Sequence, residues 1–490
     1  MKQLSELLKA VRPLRVEGSD TVWIEAITDD SRQVQQGWLF AAIPGHTTDG
    51  HKFIDAATAA GAVAIVCEVM PECRYDHVTY VQVPSAAQAL AHIAEAFYDF
   101  PSQKLKIVAV TGTNGKTTVA TLLYHLFTAL GFRCGLISTV ENRIGATTLE
   151  ATHTTPAAVT LSQLLHLMHK EGCTYCFMEA SSHALDQQRT AGLRFAGGIF
   201  TNISHDHLDY HKTFDAYIKA KKKLFDALPA NAFALVNADD VRSRVMVQNT
   251  RAKVYTYAIQ GMADFRLRLL EQSLHGMVVL LEGQEVHLRL IGAFNASNLL
   301  AVYATARLLG AEREVVLQAM SLLAPVEGRL QVIRVPGNEL TGVVDYAHTP
   351  DALEQVLRTL RQLMYEEAQL LAVVGCGGNR DRQKRPLMGR AVALLADRAI
   401  FTADNPRYED PQFIIEEMMK GVPAEAVGKV LTVVNRREAI RTAVALGAAK
   451  DVVLVAGKGH EKYQEIAGTR YPFDDREELK KALEQIKINS

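Results

Sequence analysis

The chain has 490 residues, of which 48% are hydrophobic and 22% charged, and its formal net charge is -1. That length predicts two to four domains. No basic excess points to nucleic acid, no polybasic run to a membrane surface, and no apolar run is long enough to cross a bilayer.

Residues 1–100 read as a first unit. A short amphipathic stretch, Met1 to Arg15, opens it and lacks the pattern of a signal peptide. Strand-like Trp23 to Ile27 leads into the polar turn Thr28-Asp29-Asp30-Ser31-Arg32. A second strand, Gly37 to Ile43, ends in Pro44-Gly45-His46-Thr47-Thr48-Asp49-Gly50. A helix over 53–60, a strand over 62–67, a strand over 79–83 and a helix over 86–98 follow. Phe100-Pro101-Ser102 is the expected linker. The polar clusters at 29–32 and 46–50 read either as turn chemistry or as ligand loops at strand ends.

The second unit, 101–330, opens on Lys106-Ile-Val-Ala-Val-Thr-Gly-Thr-Asn-Gly-Lys-Thr-Thr118. An apolar run, two glycines, Lys-Thr-Thr and a helical stretch follow one another, which is the wiring of a phosphate-binding loop. Glycines let backbone N–H groups close on phosphate oxygens, the helix N-terminus adds positive potential, Lys116 neutralises charge and Thr117 can ligate magnesium. Gly112 and Gly115 are separated by two residues, fewer than in the common form. Strand Thr174 to Glu179 ends in a carboxylate suited to the same magnesium, or to a structural anchor. His207 stands in another strand-end loop, where it either approaches a second metal or only hydrogen-bonds. Helix 215–227 carries Lys219, Lys221, Lys222 and Lys223, either a solvated face or the site of one lysine carbamylated by CO₂. Residues 252–291 alternate apolar and polar and predict an antiparallel β patch with turns near Gly276 and Gly283.

The third unit, 331–490, predicts strands over 341–345, 370–375, 398–402 and 451–456 with helices between. Each strand ends in polar residues: Asp345-Tyr-Ala-His348, Gly375 to Arg380, Asp404-Asn-Pro-Arg407 and Gly457-Lys-Gly-His-Glu461. Four such ends predict one ligand-lined rim on a doubly wound sheet. The six cysteines are scattered; Cys173 and Cys176 form a lone pair of CxxC spacing and read as structural. Reduced thiols and the absence of a leader predict the cytoplasm.

Thr111 to Thr118, Glu179-Ala-Ser-Ser-His183, Asn202-Ile-Ser-His-Asp-His207, Tyr217-Ile-Lys-Ala-Lys221 and Asp404 to Arg407, in this order, resemble the Mur ligase family, from about residue 25 to 475. The resemblance implies an α/β protein of three domains. These are an N-terminal UDP-binding domain, a central ATPase-like domain of phosphate-loop type, and a C-terminal Rossmann-like domain binding the amino acid. It implies an ATP-dependent, ADP-forming amide ligase working through an acyl phosphate, with Mg²⁺ as cofactor. Asp29, Ser31, His46, Thr47 and Thr48 would hold the UDP end of a sugar nucleotide. Thr154, Thr155, Ser181, Gln187 and Arg189 would hold its peptide. Residues Gly112 to Thr118 (Gly112, Thr113, Asn114, Gly115, Lys116, Thr117, Thr118), with Asn295, Asn298 and Arg329, would bind ATP. Thr117 and Glu179 would take one magnesium, and His207 and N6-carboxylated Lys221 a second. His183, His348 or solvent would accept the proton of the amine.

Asp404, Asn405, Pro406 and Arg407 resemble the motif of members that add meso-diaminopimelate. Its second centre carries a carboxylate and an ammonium. Arg407 and Arg380 offer forked donors to the first, and Glu461, beside Gly457, an acceptor to the second. The implied substrate is UDP-MurNAc-L-Ala-D-Glu, with no nucleic acid or membrane partner, and a monomer is expected. Three positions depart from the family pattern: Glu327 replaces a proline before Gly328-Arg329, His153 an asparagine, and Asn379 an aspartate. The alternatives are a lysine-adding relative, a ligase like folylpolyglutamate synthetase, and a nucleotide-gated scaffold without catalysis. The second would lack both the first hundred residues and Asp404 to Arg407. The third is opposed by intact Lys116, Thr117, Glu179, His207 and Lys221.

Overall fold

The computed structural model describes residues 1–45, 48–204 and 206–485. The chain divides into two compact units, Met1–Tyr257 with Ala304–Gly310, and Ala258–Tyr303 with Ala311–Ser490.

The first unit holds two sheets. The smaller runs in the order Arg15–Glu17, Thr79–Gln82, Ala62–Cys67, Trp38–Ala41, Ala26–Thr28 and is parallel except at its 15–17 edge. Its central strands are nearly continuous apolar runs, as strands covered on both faces must be. The helix Ala86–Phe97 packs Leu90 and Ile93 onto it. The other sheet is the platform of the phosphate loop. Within the first unit its order is Thr147–Glu150, Glu141–Ile144, Cys134–Ile137, Tyr175–Glu179, Lys106–Thr111, Gly197–Phe200, Phe233–Asn237, Lys253–Ala258. The strand Lys106–Thr111 is central, with Tyr175–Glu179 parallel on one side and Gly197–Phe200 parallel on the other. Glu179 therefore lies in register with Val110, beside the point where the loop leaves the sheet.

The expected linker is a short 3-10 turn, Pro101–Gln103, and it is tightly held. Glu95, 1% exposed, accepts hydrogen bonds at Oε2 from the Ser102 N–H (3.3 Å) and hydroxyl (2.5 Å), and at Oε1 from the Ser162 hydroxyl (3.3 Å). One buried carboxylate thus ties three segments: helix 86–97, the linker and the helix Ala158–Lys170.

In the second unit, Phe265–Ser273, Gly276–Leu281 and Gln284–Leu288 form an antiparallel ribbon, turning near Gly276 and Gly283 as expected. The first part of the expected patch behaves differently. Lys253–Ala258 pairs in parallel with Phe233–Asn237 and belongs to the first unit's sheet. Alternation reports one covered face and says nothing of strand direction. The remaining sheet runs in the order Gln331–Ile333, Thr341–Asp345, Val452–Ala456, Leu370–Cys376, Arg398–Ala403, Val430–Thr432, parallel except at its first edge. The four expected strands are its centre. The edge strands 331–333 and 430–432 and the hairpin Tyr463–Ile466/Thr469–Pro472 are too short to show a period in the sequence.

Arg436 locks the carboxyl edge of this sheet. Arg436 and Asp475 are both fully buried and meet in a forked pair, Nε to Oδ1 and Nη2 to Oδ2, each 2.7 Å. The same guanidinium donates to the carbonyls of Ala456 (3.0 Å) and Ala403 (3.5 Å), the last residues of two strands. The polar segments at 404 and 457 thus leave the sheet from anchored ends.

Asp475→Ala would leave the Arg436 charge buried and uncompensated. A loss of about 3–5 kcal/mol is expected in urea unfolding, with part recovered by the apolar pair Arg436→Met/Asp475→Leu. Burial raises the Glu95 carboxyl above its usual range, against the opposing hydrogen bonds of Ser102 and Ser162. Its contribution to stability is therefore complete below the unfolded carboxyl pKa and is lost as pH rises through the folded one. Glu95→Gln is expected to flatten the fall of the urea midpoint as pH rises above the ordinary carboxyl range, about pH 4.

Candidate active site

The loop after Thr111 is shaped by close approach. A Cβ at Gly112 would overlap the Thr201 hydroxyl and press on the Asn202 backbone. Gly115 has φ of 86°, a left-handed conformation that glycine adopts freely, and it starts the helix Lys116–Ala129. The loop is pinned to the end of strand 197–200. Asn114 N–H donates to Asn202 Oδ1 (3.0 Å), Asn114 O accepts from the Thr201 hydroxyl (2.6 Å) and Asn202 Nδ2 (3.1 Å), and Thr113 N–H donates to Asn202 O (2.8 Å).

Two lysines converge on one carbonyl. Gly112 O accepts from Lys116 Nζ (3.0 Å) and Lys221 Nζ (2.7 Å), and Lys116 also donates to Thr113 O (2.8 Å). Lys221, in the helix Phe214–Asp226, is 1% exposed and lies 4.5 Å over the Tyr217 ring. Burial, then the nearby charge of Lys116, holds its ammonium pKa well below the usual lysine range, with Asp206 opposing. The dense lysine run is therefore of mixed character. Lys219 pairs with exposed Asp215, Lys222 with Asp226 and Lys223 with Asp186, and only Lys221 turns inward.

Glu179 is fully buried. Its Oε1 accepts from the Thr139 N–H (2.7 Å), while Oε2 has no hydrogen-bond partner among the described residues. An orphaned carboxylate oxygen beside a phosphate loop suits a hard cation, and Thr117, at the second position of the helix, offers a hydroxyl of the same kind. Among the described residues, no three His, Cys, Asp or Glu side chains converge as a metal cage. The donor set fits magnesium, which takes few protein ligands and completes its shell with phosphate and water. His207 has φ of 53° and lies with its ring 4.9 Å from that of His183. Crowding by protein lowers its pKa to about 4 despite Asp206, with His183, Lys116 and Lys221 adding to the effect, so its ring is neutral at physiological pH.

The residues expected to hold a peptide do come together. Arg189 donates to Thr155 O (2.8 Å) and twice to Gln187 Oε1 (3.0 and 2.6 Å). Thr155 hydroxyl donates to Glu179 O (2.8 Å) and accepts from Ser181 N–H (3.1 Å), and Thr154 accepts from the Thr139 hydroxyl (3.0 Å). Asp29 belongs to the same surroundings. The protein crowded around it raises its carboxyl pKa, reinforced by Asp30 and opposed by Arg189. Ser31 opens a 3-10 turn capped by Asp30, and the Thr48 carbonyl accepts from Gly45 N–H (3.0 Å). His46 and Thr47 lie outside the described residues. Tyr210 joins this group without any signal in the sequence. Its hydroxyl accepts from Gln187 Nε2 and donates to Asp186 Oδ2 (both 3.2 Å), which supports the Gln187–Arg189 pair from behind.

In the second unit, Asn295 and Asn298 are buried one turn apart, Asn298 Nδ2 donating to Asn295 Oδ1 (3.0 Å). Arg329 lies 4.5 Å over the Tyr346 ring, beside Asp345. Glu327, the departure before it, forms an ion pair with Arg476 (2.8 Å). Asp404 and Asn405 are buried, and Arg407 is one-fifth exposed with φ of 53°. That left-handed arginine is held by its N–H to Glu465 O (3.0 Å), and its Nη1 donates to Gly378 O (2.9 Å). Strain of this kind persists where surroundings impose it, as at ligand-clamping loops. Pro406 O packs against Gly378, where any side chain would overlap it, and Gly457 lies over Asp404 Oδ2. Asn379, the second departure, accepts from Tyr408 N–H (3.1 Å), bracing the same loop. Arg380 is exposed and lines an open hollow with Arg382, Glu409 and Phe413. His153, the third departure, is exposed beside Thr152. Asn405 Nδ2 donates to Glu461 Oε2 (2.7 Å), so these two expected residues are in direct contact.

Fold and loop together define an α/β protein with a phosphate-type loop at the carboxyl edge of a parallel sheet and a second parallel sheet bearing charged strand ends. Family models match in three segments: the Mur ligase family catalytic domain over 24–98, the Mur ligase middle domain over 110–306, and the Mur ligase glutamate ligase domain over 328–459. The UDP-N-acetylmuramoyl-L-alanyl-D-glutamate–2,6-diaminopimelate ligase of Cytophaga hutchinsonii is 52% identical over 485 residues, 99% of each chain. The protein of the same name from Bacteroides thetaiotaomicron is 51% identical over 477 residues, 97% of this chain and 99% of its own. A solved structure of a ligase of that name superposes with a TM-score of 0.70 at 35% identity over 98% of each chain. The chain belongs to the Mur ligase family.

Gly112→Ala is expected to displace Thr201 and open the loop. Nucleotide affinity, read by titration of a fluorescent ATP analogue, should fall roughly tenfold or more, the scale of one charge-assisted contact. Unchanged affinity would show that the close packing of Gly112 on Thr201 does not shape the nucleotide site.

Proposed function

We propose that the protein is an ATP-dependent, ADP-forming ligase that joins meso-diaminopimelate to UDP-MurNAc-L-Ala-D-Glu in cytoplasmic peptidoglycan precursor synthesis. The observation that carries this reading is likeness along the whole chain, rather than over one domain, to relatives named for that reaction. It assigns the UDP end to residues 1–100, ATP to 101–330 and the amino acid to 331–490, in a monomer.

A carboxylate is a poor acyl donor because its leaving group would be oxide. Transfer of the γ-phosphoryl group of ATP converts it to an acyl phosphate. The amine then attacks the carbonyl carbon, the C–O bond to phosphate breaks, inorganic phosphate leaves with the bonding pair, and the amine's proton passes to His183, His348 or solvent. Such a reaction needs positioning and charge neutralisation and no protein nucleophile. In this reading the 112–118 backbone and the N-terminus of helix 116–129 take the phosphates, and Lys116 exchanges its loop carbonyls for phosphate oxygens. Asn295 and Asn298 face the nucleotide and Arg329 its phosphates. Thr117 with Glu179, and His207 with carbamylated Lys221, would hold magnesium, which when bound neutralises and orients the phosphoryl oxygens. Buried Lys221 is suited to carbamylation because CO₂ adds to a neutral amine. Arg189, Gln187, Thr154, Thr155 and Ser181 hold the peptide, and Asp29, Ser31 and Thr48, with His46 and Thr47, the UDP end. Arg407 and Arg380 meet the distal carboxylate of diaminopimelate, and Asp404, Asn405, Gly457 and Glu461 its neighbourhood.

Phosphate release is measured with UDP-MurNAc-dipeptide and a panel of meso-diaminopimelate, L-lysine and L-ornithine. Turnover with the first alone is expected; selective use of lysine would replace the reading. Arg407→Ala should raise KM for diaminopimelate roughly tenfold or more and leave KM for ATP nearly constant, as loss of a charge-assisted contact predicts. For the carbamate, ¹³C-bicarbonate labelling should give a carbamate resonance in the wild type that Lys221→Ala lacks along with turnover. A fully active Lys221→Ala enzyme would exclude it.

A further inference from the structure

Lys458 is fully buried, yet no step above uses it. Its Nζ donates to Asn405 Oδ1 (2.9 Å) and to Glu461 Oε2 (3.0 Å), lies 3.7 Å from Asp404 Oδ1, and stands 5.5 Å from the Tyr463 ring centre. A buried ammonium must be compensated locally. Its compensation here is the acidic pair, Asp404 and Glu461, through which the expected amino-acid site is built.

The contacts also fix an orientation. Asn405 Oδ1 accepts from two donors, Lys458 Nζ and the Glu465 N–H (2.9 Å). The amide is thereby oriented with Nδ2 toward Glu461, to whose Oε2 it donates at 2.7 Å. Lys458 and Asn405 thus land on the same carboxylate oxygen, and neither engages Oε1. Among the groups in direct contact, two carboxylates face one lysine, and Arg436, which also acts on both, is paired with Asp475; one ligand ammonium would balance the remaining negative charge. Without the lysine, the two carboxylates would lose their nearest positive charge, and Asn405 and Glu461 the donor that orients them.

We propose that Lys458 is a specificity-determining positioning residue. It orients Asn405 and occupies Glu461 Oε2, so that Glu461 Oε1 presents one uncompensated charge to the distal ammonium of the incoming amino acid. This rests on the reading of that amino acid as meso-diaminopimelate. Lys458 acts through Glu461 and does not touch the ligand's reacting amine.

The test compares kcat/KM for meso-diaminopimelate with that for 2-aminopimelate, which keeps both carboxylates and lacks the distal amine. The wild type should favour diaminopimelate, and if it uses neither acid the underlying reading fails instead. Lys458→Met should cut this preference roughly tenfold, through KM more than kcat, as loss of one charge-assisted contact predicts. Glu461→Gln should cut it similarly, and the double variant no further than Glu461→Gln alone, since one pathway carries both effects. Lys458→Arg, which keeps the charge, should recover part of the preference. An unchanged ratio in Lys458→Met, or additive losses in the double variant, would overturn the proposal. Should Lys458→Met be insoluble, the same ratio is measured on Lys458→Gln: a fall supports the proposal and an unchanged value overturns it.

Discussion

The first unit depends on the absence of a side chain at Gly112. Because nothing projects there, the loop lies flush on Thr201 and Asn202, and its carbonyl reaches two lysines from different helices. The loop is thus closed by fixed polar contacts on the sheet side and by two lysine side chains on the other. Phosphate oxygens would compete for the Lys116 ammonium more strongly than neutral carbonyls can. The helix N-terminus then adds potential without any further residue.

The same economy of charge appears around Glu179. One oxygen is satisfied by the backbone of Thr139, and the other, fully buried, has no partner among the described residues. Leaving a buried carboxylate oxygen unsatisfied costs stability, and such costs are concentrated where a ligand repairs them. The residues expected to hold the peptide are tied to the backbone of Glu179 through Thr155, whose hydroxyl donates to the Glu179 main-chain carbonyl and whose own carbonyl accepts from Arg189.

In the second unit the corresponding constraint is the buried Arg436–Asp475 pair, which anchors the ends of two strands and so fixes where Asp404 and Gly457 emerge. Asp404 illustrates the consequence. Burial alone would raise its carboxyl pKa, but the charges of Lys458 and then Arg436 outweigh it and hold the group below the usual range. Arg385, also fully buried, braces the neighbouring loop by pairing with Glu409 and Glu417 and donating to Gly377 O. Charged residues in this unit therefore act structurally at the sheet's carboxyl edge, where they leave few degrees of freedom to Arg407.

The sequence by itself determined the strands that are buried on both faces, because Ile107 to Val110, Tyr175 to Met178 and Leu370 to Val374 are continuous apolar runs whose meaning does not depend on neighbours. It also determined the phosphate loop, since glycine spacing and Lys-Thr-Thr act through local backbone geometry. What it left open were distinctions that require a partner from far along the chain. The lysines between 219 and 223 are alike as letters, and only packing against Tyr217 and Gly112 separates Lys221 from those paired with Asp215, Asp226 and Asp186. Residues 252–291 alternate throughout, yet Lys253–Ala258 joins a parallel sheet because alternation carries no strand direction. Tyr210 gave no signal and Lys458 none beyond its place in the polar strand end 457–461; their roles come from the oxygens that the fold brings within reach of a hydroxyl and an ammonium. Local chemistry was legible because it is written in consecutive residues. Charge compensation and orientation were decided by contacts between residues far apart in the chain, which only the tertiary structure creates.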